Sequence, residues 1–203
     1  MVILILLIIL ISYALGCISL PPLVCSLLRR KDKQTAAGCT GYPQVMKAYG
    51  WAGVGIVLAA DLIRALIIIL LGKLLLKGAG FPGVGMRTAL LFALLGQVMP
   101  ITNFMRARQG LVFPALLLLW TDWRLFLIAL AVFVIVYLLT KRISLCALAV
   151  ALSYPVFSLL LGAWWLQVVL ALLAAIVLVL PYRTGLTRYF AGLKKGKKQE
   201  AED

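Results

Sequence analysis

The sequence predicts an all-α, polytopic integral membrane helical bundle of about seven transmembrane segments, with the N-terminus out and the C-terminus in. Three observations carry this reading. Hydrophobic residues make up 65% of the 203-residue chain and charged residues only 13%, more apolar surface than a water-soluble domain of this size can hide, although lipid can receive it. Most of the apolar residues fall in runs close to the roughly 20 residues that cross a bilayer. The basic residues cap those runs on alternate sides, as orientation signals do.

The first apolar run covers residues 2 to 28 and ends at Arg29-Arg30-Lys31. No basic residue precedes it and it is longer than the core of a cleaved signal, so it reads as a retained first helix. Pro21-Pro22 is expected to kink it or end its regular part. Residues 29–50 are polar and carry Gly38, Gly41 and Pro43, an inside loop. The second helix is expected from Trp51 to about Leu71, followed by an outside turn, GKLLLKGAGFPGVG. The third runs from about Met86 to Phe104 and delivers Arg106 and Arg108 to the inside. Leu111 to Trp120 is a short apolar run, expected to dip rather than cross squarely, and Thr121-Asp122-Trp123-Arg124 turns the chain. Leu125–Thr140, Ile143–Gly162 (with Pro155 as a kink) and Ala163–Tyr182 complete the set. The organisation is thus a single membrane domain over 1–182 and a basic cytoplasmic tail over 183–203.

The positive-inside bias fixes the orientation. Inside segments hold Arg29, Arg30, Lys31, Lys33, Lys47, Arg106, Arg108, Lys141, Arg142 and the tail basics Arg183, Arg188, Lys194, Lys195, Lys197 and Lys198. Outside segments hold Lys73, Lys77, Arg87 and Arg124. The net charge of +14 therefore points to no nucleic acid, which would require a continuous basic face on a soluble module. The tail lysines suit anionic lipid headgroups.

The chain has no histidine, which removes the commonest general base and metal ligand. Its cysteines, Cys17, Cys25, Cys39 and Cys146, form no C-x-x-C pair, so neither a zinc site nor a disulfide framework is expected. Gly78-Ala79-Gly80-Phe81-Pro82-Gly83 matches a dinucleotide fingerprint by letters alone, since a membrane helix rather than a strand precedes it. Asp61 and Arg64 lie three residues apart inside the second helix, on one face and close enough to pair. Charges at such depth face the bundle interior, and self-neutralisation is the favoured reading over contact with a polar cavity. Arg106 and Arg108, where the third helix meets the inner surface, suit either a topology anchor or bidentate phosphate binding. Ser144, which begins the sixth helix, is either an N-cap or a site hydroxyl.

Several segments together resemble the bacterial acyl-phosphate:glycerol-3-phosphate acyltransferase family of the PlsY type. Gly16-Cys17-Ile18-Ser19 resembles its G-S-I-x motif. Gly50 and Asp61-Leu62-Ile63-Arg64 fit its glycine and D-x-x-K. Gly96-Gln97-Val98-Met99-Pro100 fits G-H-x-x-P, and Met105-Arg106-Ala107-Arg108-Gln109-Gly110 fits F-K-G-G-K-G. Ser144-Leu145 with Ala151-Leu152 and Pro155 fits its S-L motif. The resemblance implies a seven-helix bundle in the bacterial inner membrane, with its site on the cytoplasmic face. The implied reaction carries an acyl chain from acyl phosphate to glycerol 3-phosphate, giving lysophosphatidic acid, with no metal or other cofactor. Phosphate binding would fall to Arg64, Arg106, Arg108, Gly110, Gly38 and Gly41, with Gln97 and Ser144 as the catalytic pair.

The departures are specific. The serine of the family's inside loop S-G-N-P-G-A-T-N is Ala37 here and its asparagines are Cys39 and Gln44, in a register fixed on Gly50; anchoring on the first helix shifts it by one residue. The motif histidine is Gln97, the paired loop glycines are Ala107 and Arg108, and the second lysine is Gln109. Side chains in a glycine loop hinder the close approach of phosphate to backbone amides. Two functions follow: an acyltransferase with an eroded site, or a non-catalytic descendant that binds an anionic lipid or metabolite or a membrane protein partner.

Overall fold

The computed structural model describes residues 2–28, 41–101, 111–141, 143–162 and 164–180, apart from the side chain of Ser144. Among the described residues all regular structure is helical: α1 (Val2–Cys17), α2 (Leu20–Leu28), α3 (Tyr42–Lys77), α4 (Pro82–Val98), α5 (Val112–Thr121), α6 (Trp123–Thr140), α7 (Ile143–Leu160) and α8 (Trp165–Val179). The chain divides into two compact units, Met1–Trp123 and Arg124–Asp203.

In the first unit the initial apolar run is two helices bent by 52°. The break falls at Ile18-Ser19, just before the prolines rather than at them. Pro21 and Pro22 occupy the first turn of α2, where a missing N–H costs nothing. The same two residues have no N–H to give to the carbonyls four positions back, at Cys17 and Ile18, so a continuous helix cannot be closed through that point.

The largest departure from the sequence reading is α3, which starts at Tyr42 inside the presumed polar loop. Gly50 interrupts it with φ 66° and ψ −160°, a backbone region open essentially to glycine alone. The short limb ahead of Gly50 buries Val45 and half-buries Tyr42 and Tyr49, while Gln44, Met46 and Lys47 face out. Apolar residues at spacings of three and four on an otherwise polar segment give it one packing face. That face meets Val24 and Cys25 of α2 and Val57 beyond the kink, with Leu20 and Val54 at the margin. Past the kink α3 runs on to Lys77, so the turn expected over GKLLLKGAGFPGVG shrinks to Gly78–Phe81 and α4 starts at Pro82. At its other end α4 stops at Val98, short of the expected Phe104. Pro100 forces Met99 out of helical geometry, to φ −126° and ψ 66°.

α4 packs against α1, α3 and α5, and α3 also packs against α1, α2 and α5. Small residues allow the closest approaches. A Cβ on Gly16 would strike the Ala93 carbonyl oxygen, and one on Gly96 the Tyr13 carbonyl oxygen. Further along α4, Gly85 faces Gly72 of α3 backbone to backbone, with Ala89 beside it. Backbone contact through small residues is the usual way apolar helices associate where lipid competes for every larger side chain. On α1 the buried residues are Ile8, Ser12 and Gly16, one narrow stripe flanked by half-buried residues, while Val2, Ile3, Leu6, Leu7 and Leu10 are exposed.

In the second unit α7 packs on α8. Cys146, Ala147, Ala151, Tyr154 and Ser158 are buried along α7, and Ala171, Ala174 and Ala175 along α8. Pro155, where the sequence predicts a kink, lies inside α7. Lys141 ends α6 in the left-handed region (φ 52°), its N–H donating to the Tyr137 carbonyl. The outer residues of α6 are greasy, with Leu138 and Leu139 at 71% and 80% exposure.

Among the described residues two helices, α3 and α6, are long and apolar enough to cross a membrane by themselves, and the bent pair α1–α2 makes a third. Of the others, α4, α5 and α8 are apolar but shorter, at 17, 10 and 15 residues. α5, with 10 residues, is about 15 Å long, in keeping with the short fourth segment that the sequence predicts.

Candidate functional site

The site in the first unit grows from the interruption in the first apolar run. Arg64 of α3 donates from Nη1 to the carbonyl of Ile18. Its Nη2 lies 3.1 Å from Asp61 Oδ1, and its guanidinium sits 3.7 Å over the centre of the Phe113 ring at the start of α5. The other carboxylate oxygen of Asp61 accepts a 2.6 Å hydrogen bond from the Tyr42 hydroxyl. Asp61 is 3% exposed and Arg64 9%, so both charges lie out of solvent, compensated by one another and by oriented dipoles. Such pairing is what makes a buried charge tolerable.

The Tyr42–Asp61 contact depends on Gly50. In a straight helix nineteen residues separate two side chains by about 28 Å. The chain doubles back at Gly50 and brings Tyr42 to Asp61, and Tyr49 donates across to the Cys25 carbonyl at 3.2 Å. The end of α4 joins the same neighbourhood. Tyr13 donates to the Met99 carbonyl at 2.7 Å, Pro100 is fully buried, and Gly96 rests on the backbone of Tyr13, Gly16 and Cys17. Gln97, next to Gly96, is half-buried with its side-chain oxygen out of solvent. Gly16-Cys17-Ile18-Ser19, Asp61–Arg64 and Gly96–Pro100, far apart in sequence, therefore share one end of the unit.

Of the residues singled out from sequence, the structure brings Arg64 and Gln97 into this neighbourhood. Gly41 precedes Tyr42 as the N-cap of α3, in extended geometry with φ −163°. A Cβ there would meet only ordinary contacts, so neither backbone nor packing demands glycine at that point. Ser144 lies in the first turn of α7, in the second unit. Gly38, Arg106, Arg108 and Gly110 lie outside the described residues.

Sequence reasoning missed Tyr42, Tyr13 and Phe113, because each acts through a partner that only the fold supplies. It also missed a second ion pair. Arg87 near the start of α4, 8% exposed, meets Asp122 at the end of α5 with 2.8 Å between Nη2 and Oδ2. The two lie 35 residues apart, and the packing of α4 on α5 brings them together.

A bent, small-residue-packed helical bundle with apolar outer faces and a buried polar network at one end defines a multi-pass integral membrane protein. A family model described as glycerol-3-phosphate acyltransferase matches residues 6–192, and the chain belongs to that family. It is 26% identical over 196 residues to the glycerol-3-phosphate acyltransferase of Thermoanaerobacter pseudethanolicus, covering 95% of each chain. It is 25% identical to glycerol-3-phosphate acyltransferase 1 of Lactobacillus johnsonii, over 93% of this chain and 89% of that one. With the Coxiella burnetii enzyme of the same name identity is 28%, over 76% and 78%. Among solved structures, the fold resembles that of PlsY, an integral membrane glycerol 3-phosphate acyltransferase, in its lysophosphatidic acid form, with TM-score 0.73 and 17% identity over 93% of this chain and 92% of that one. The glycerol 3-phosphate form gives 0.70 and 16% over the same shares.

Proposed function

We propose that the chain is an acyltransferase that moves an acyl group from acyl phosphate to glycerol 3-phosphate, giving lysophosphatidic acid and inorganic phosphate for phospholipid synthesis. The observation that carries this reading is the convergence of three motif segments, 16–19, 61–64 and 96–100, on one end of the first unit in a chain of this family.

A glycerol hydroxyl attacks the acyl carbonyl, negative charge grows on the carbonyl oxygen, and phosphate leaves. The chain must therefore supply donors for two phosphates and for the developing oxyanion. Arg106 and Arg108 hold phosphate, with backbone N–H groups at Gly38, Gly41 and Gly110 beside them. Gln97 donates to the reacting oxygen and Ser144 assists. A substrate phosphate takes the proton, which a chain without histidine needs from some group other than imidazole. No metal or organic cofactor takes part. Membrane lipids surround the bundle of about seven spans in the bacterial cytoplasmic membrane, N-terminus out and C-terminus in, and its tail basics face the cytoplasm.

Gln97, Ala107 and Gln109 replace a histidine, a glycine and a lysine of the family motifs, and that loss favours a second reading, a non-catalytic descendant holding an anionic lipid, a metabolite or a membrane protein partner. Purified protein given acyl phosphate and glycerol 3-phosphate separates the two. Lysophosphatidic acid above background, abolished by Arg106→Ala, supports the enzyme; none above background ends that reading, and a copurifying lipid or stable partner then supports the second.

A further inference from the structure

The buried Arg64 is held by protein at both terminal nitrogens and on one face. Asp61, the Ile18 carbonyl and the Phe113 ring occupy its guanidinium, and Tyr42 completes the network from the folded-back limb. Four separate pieces of chain, the α1–α2 break, the limb before Gly50, the body of α3 and the start of α5, are joined through two side chains three residues apart. The joint has a mechanical consequence. Tyr42 belongs to the apolar layer that covers Cys25, with Val45 and Tyr49 of the same limb, and Gly41 is its direct chain neighbour. Tyr42 thus ties the layer over Cys25 (0% exposed) to Asp61, with Gly41 next to it in the chain.

We infer that Tyr42, Asp61 and Arg64 are positioning residues, a latch that holds the limb against α2 and α3 and so sets the placement of Gly41, the phosphate-binding candidate at its start. Arg64 thereby acts on substrate through the limb rather than by touching phosphate. The kinetic half of this inference rests on the acyl-transfer reading; the conformational half does not.

The test uses the full chain in detergent with Cys17, Cys39 and Cys146 changed to serine, so that Cys25 is the sole thiol. Tyr42→Phe removes one hydroxyl at constant shape and Asp61→Asn removes the charge, which keeps the result interpretable even if Arg64 variants fold poorly. Tyr137→Phe, on α6, serves as control. The rate of Cys25 alkylation by a small maleimide is expected to rise at least tenfold in Tyr42→Phe and Asp61→Asn and to stay constant in Tyr137→Phe. In the acyl-transfer assay the same two variants are expected to raise KM for glycerol 3-phosphate at least fivefold with kcat within about twofold, and Arg64→Lys to recover part of what Arg64→Gln loses. Unchanged Cys25 reactivity overturns the latch. Raised reactivity with unchanged KM overturns the positioning role. A KM effect confined to Arg64 variants, with Tyr42→Phe silent in both assays, assigns Arg64 to phosphate directly and also overturns it. If the unmodified protein shows no turnover, the acyl-transfer reading fails by itself and alkylation alone decides the latch.

Discussion

Arg64 donates to the carbonyl of Ile18, the carbonyl that Pro22, four residues on, has no N–H to satisfy. The proline pair that breaks the first apolar run thus creates an orphan acceptor, and a buried guanidinium fills it.

That relationship makes the Asp61–Arg64 pair non-additive. Arg64→Met leaves the Asp61 carboxylate buried beside only Tyr42 and leaves Ile18 unsatisfied, a change that typically costs about 3–5 kcal/mol. Asp61→Leu alone strands the guanidinium. The double variant removes both charges and is expected to be more stable than either single one, although Ile18 still lacks its donor. Thermal unfolding of the four proteins in one detergent gives the cycle; a double variant as unstable as the sum of the singles would show that the two charges do not compensate each other.

The kink at Gly50 supports a second expectation. A Cβ at Gly50 would meet nothing within 4 Å, and the same holds at Gly55 one turn on. Of these two, Gly50 alone has positive φ. Gly50→Ala is therefore expected to cost about 1–3 kcal/mol through backbone strain alone, whereas Gly55→Ala is neutral or slightly stabilising in a helix interior. Equal effects at the two positions in thermal unfolding would refute the strain argument.

How far the sequence could be read follows from the range of each interaction. Apolar runs and their basic caps are local and gave the helices. Asp61 and Arg64 are three residues apart, and their self-neutralisation was legible for the same reason. Tyr42 was not, because its bond to Asp61 needs the single dihedral at Gly50 that folds the chain back, and the limb around it is polar on one side and reads as loop. Pro100 sits in plain view, yet the apolar residues beyond Val98 drew the expected third helix past it. Arg87 and Asp122, 35 residues apart, pair only because α4 and α5 pack.

The crossing of α1 and α4 yields a third expectation. Gly16 and Gly96 touch the opposite backbone, with no flexible side chain able to give way. Gly16→Ala and Gly96→Ala are each expected to destabilise the protein by about 1–3 kcal/mol, the usual range for overpacking, and to separate Tyr13 from Met99. Gly78→Ala, at an open position on the turn before α4, is the control. Activity in the acyl-transfer assay should fall with the first two and persist with the third; retention of both stability and activity in Gly96→Ala would mean the helices do not approach this closely.

The last expectation concerns the Arg87–Asp122 pair. Asp122 is itself fairly open, with its side chain at 41%, and an exposed ion pair contributes about 0–1 kcal/mol. Arg87 is buried, however, so truncating Asp122 removes the counter-charge of a cation that water reaches poorly. The two ends of the pair should therefore respond unequally. Asp122→Ala is expected to lower thermal stability more than Arg87→Met, which removes the buried charge and keeps an apolar stem in its place, while leaving Asp122 solvated. Added salt should narrow the difference only slightly, because a buried charge is little screened. Arg87→Met proving the more damaging of the two would mean that the arginine contributes more by its hydrogen bonds than its burial costs.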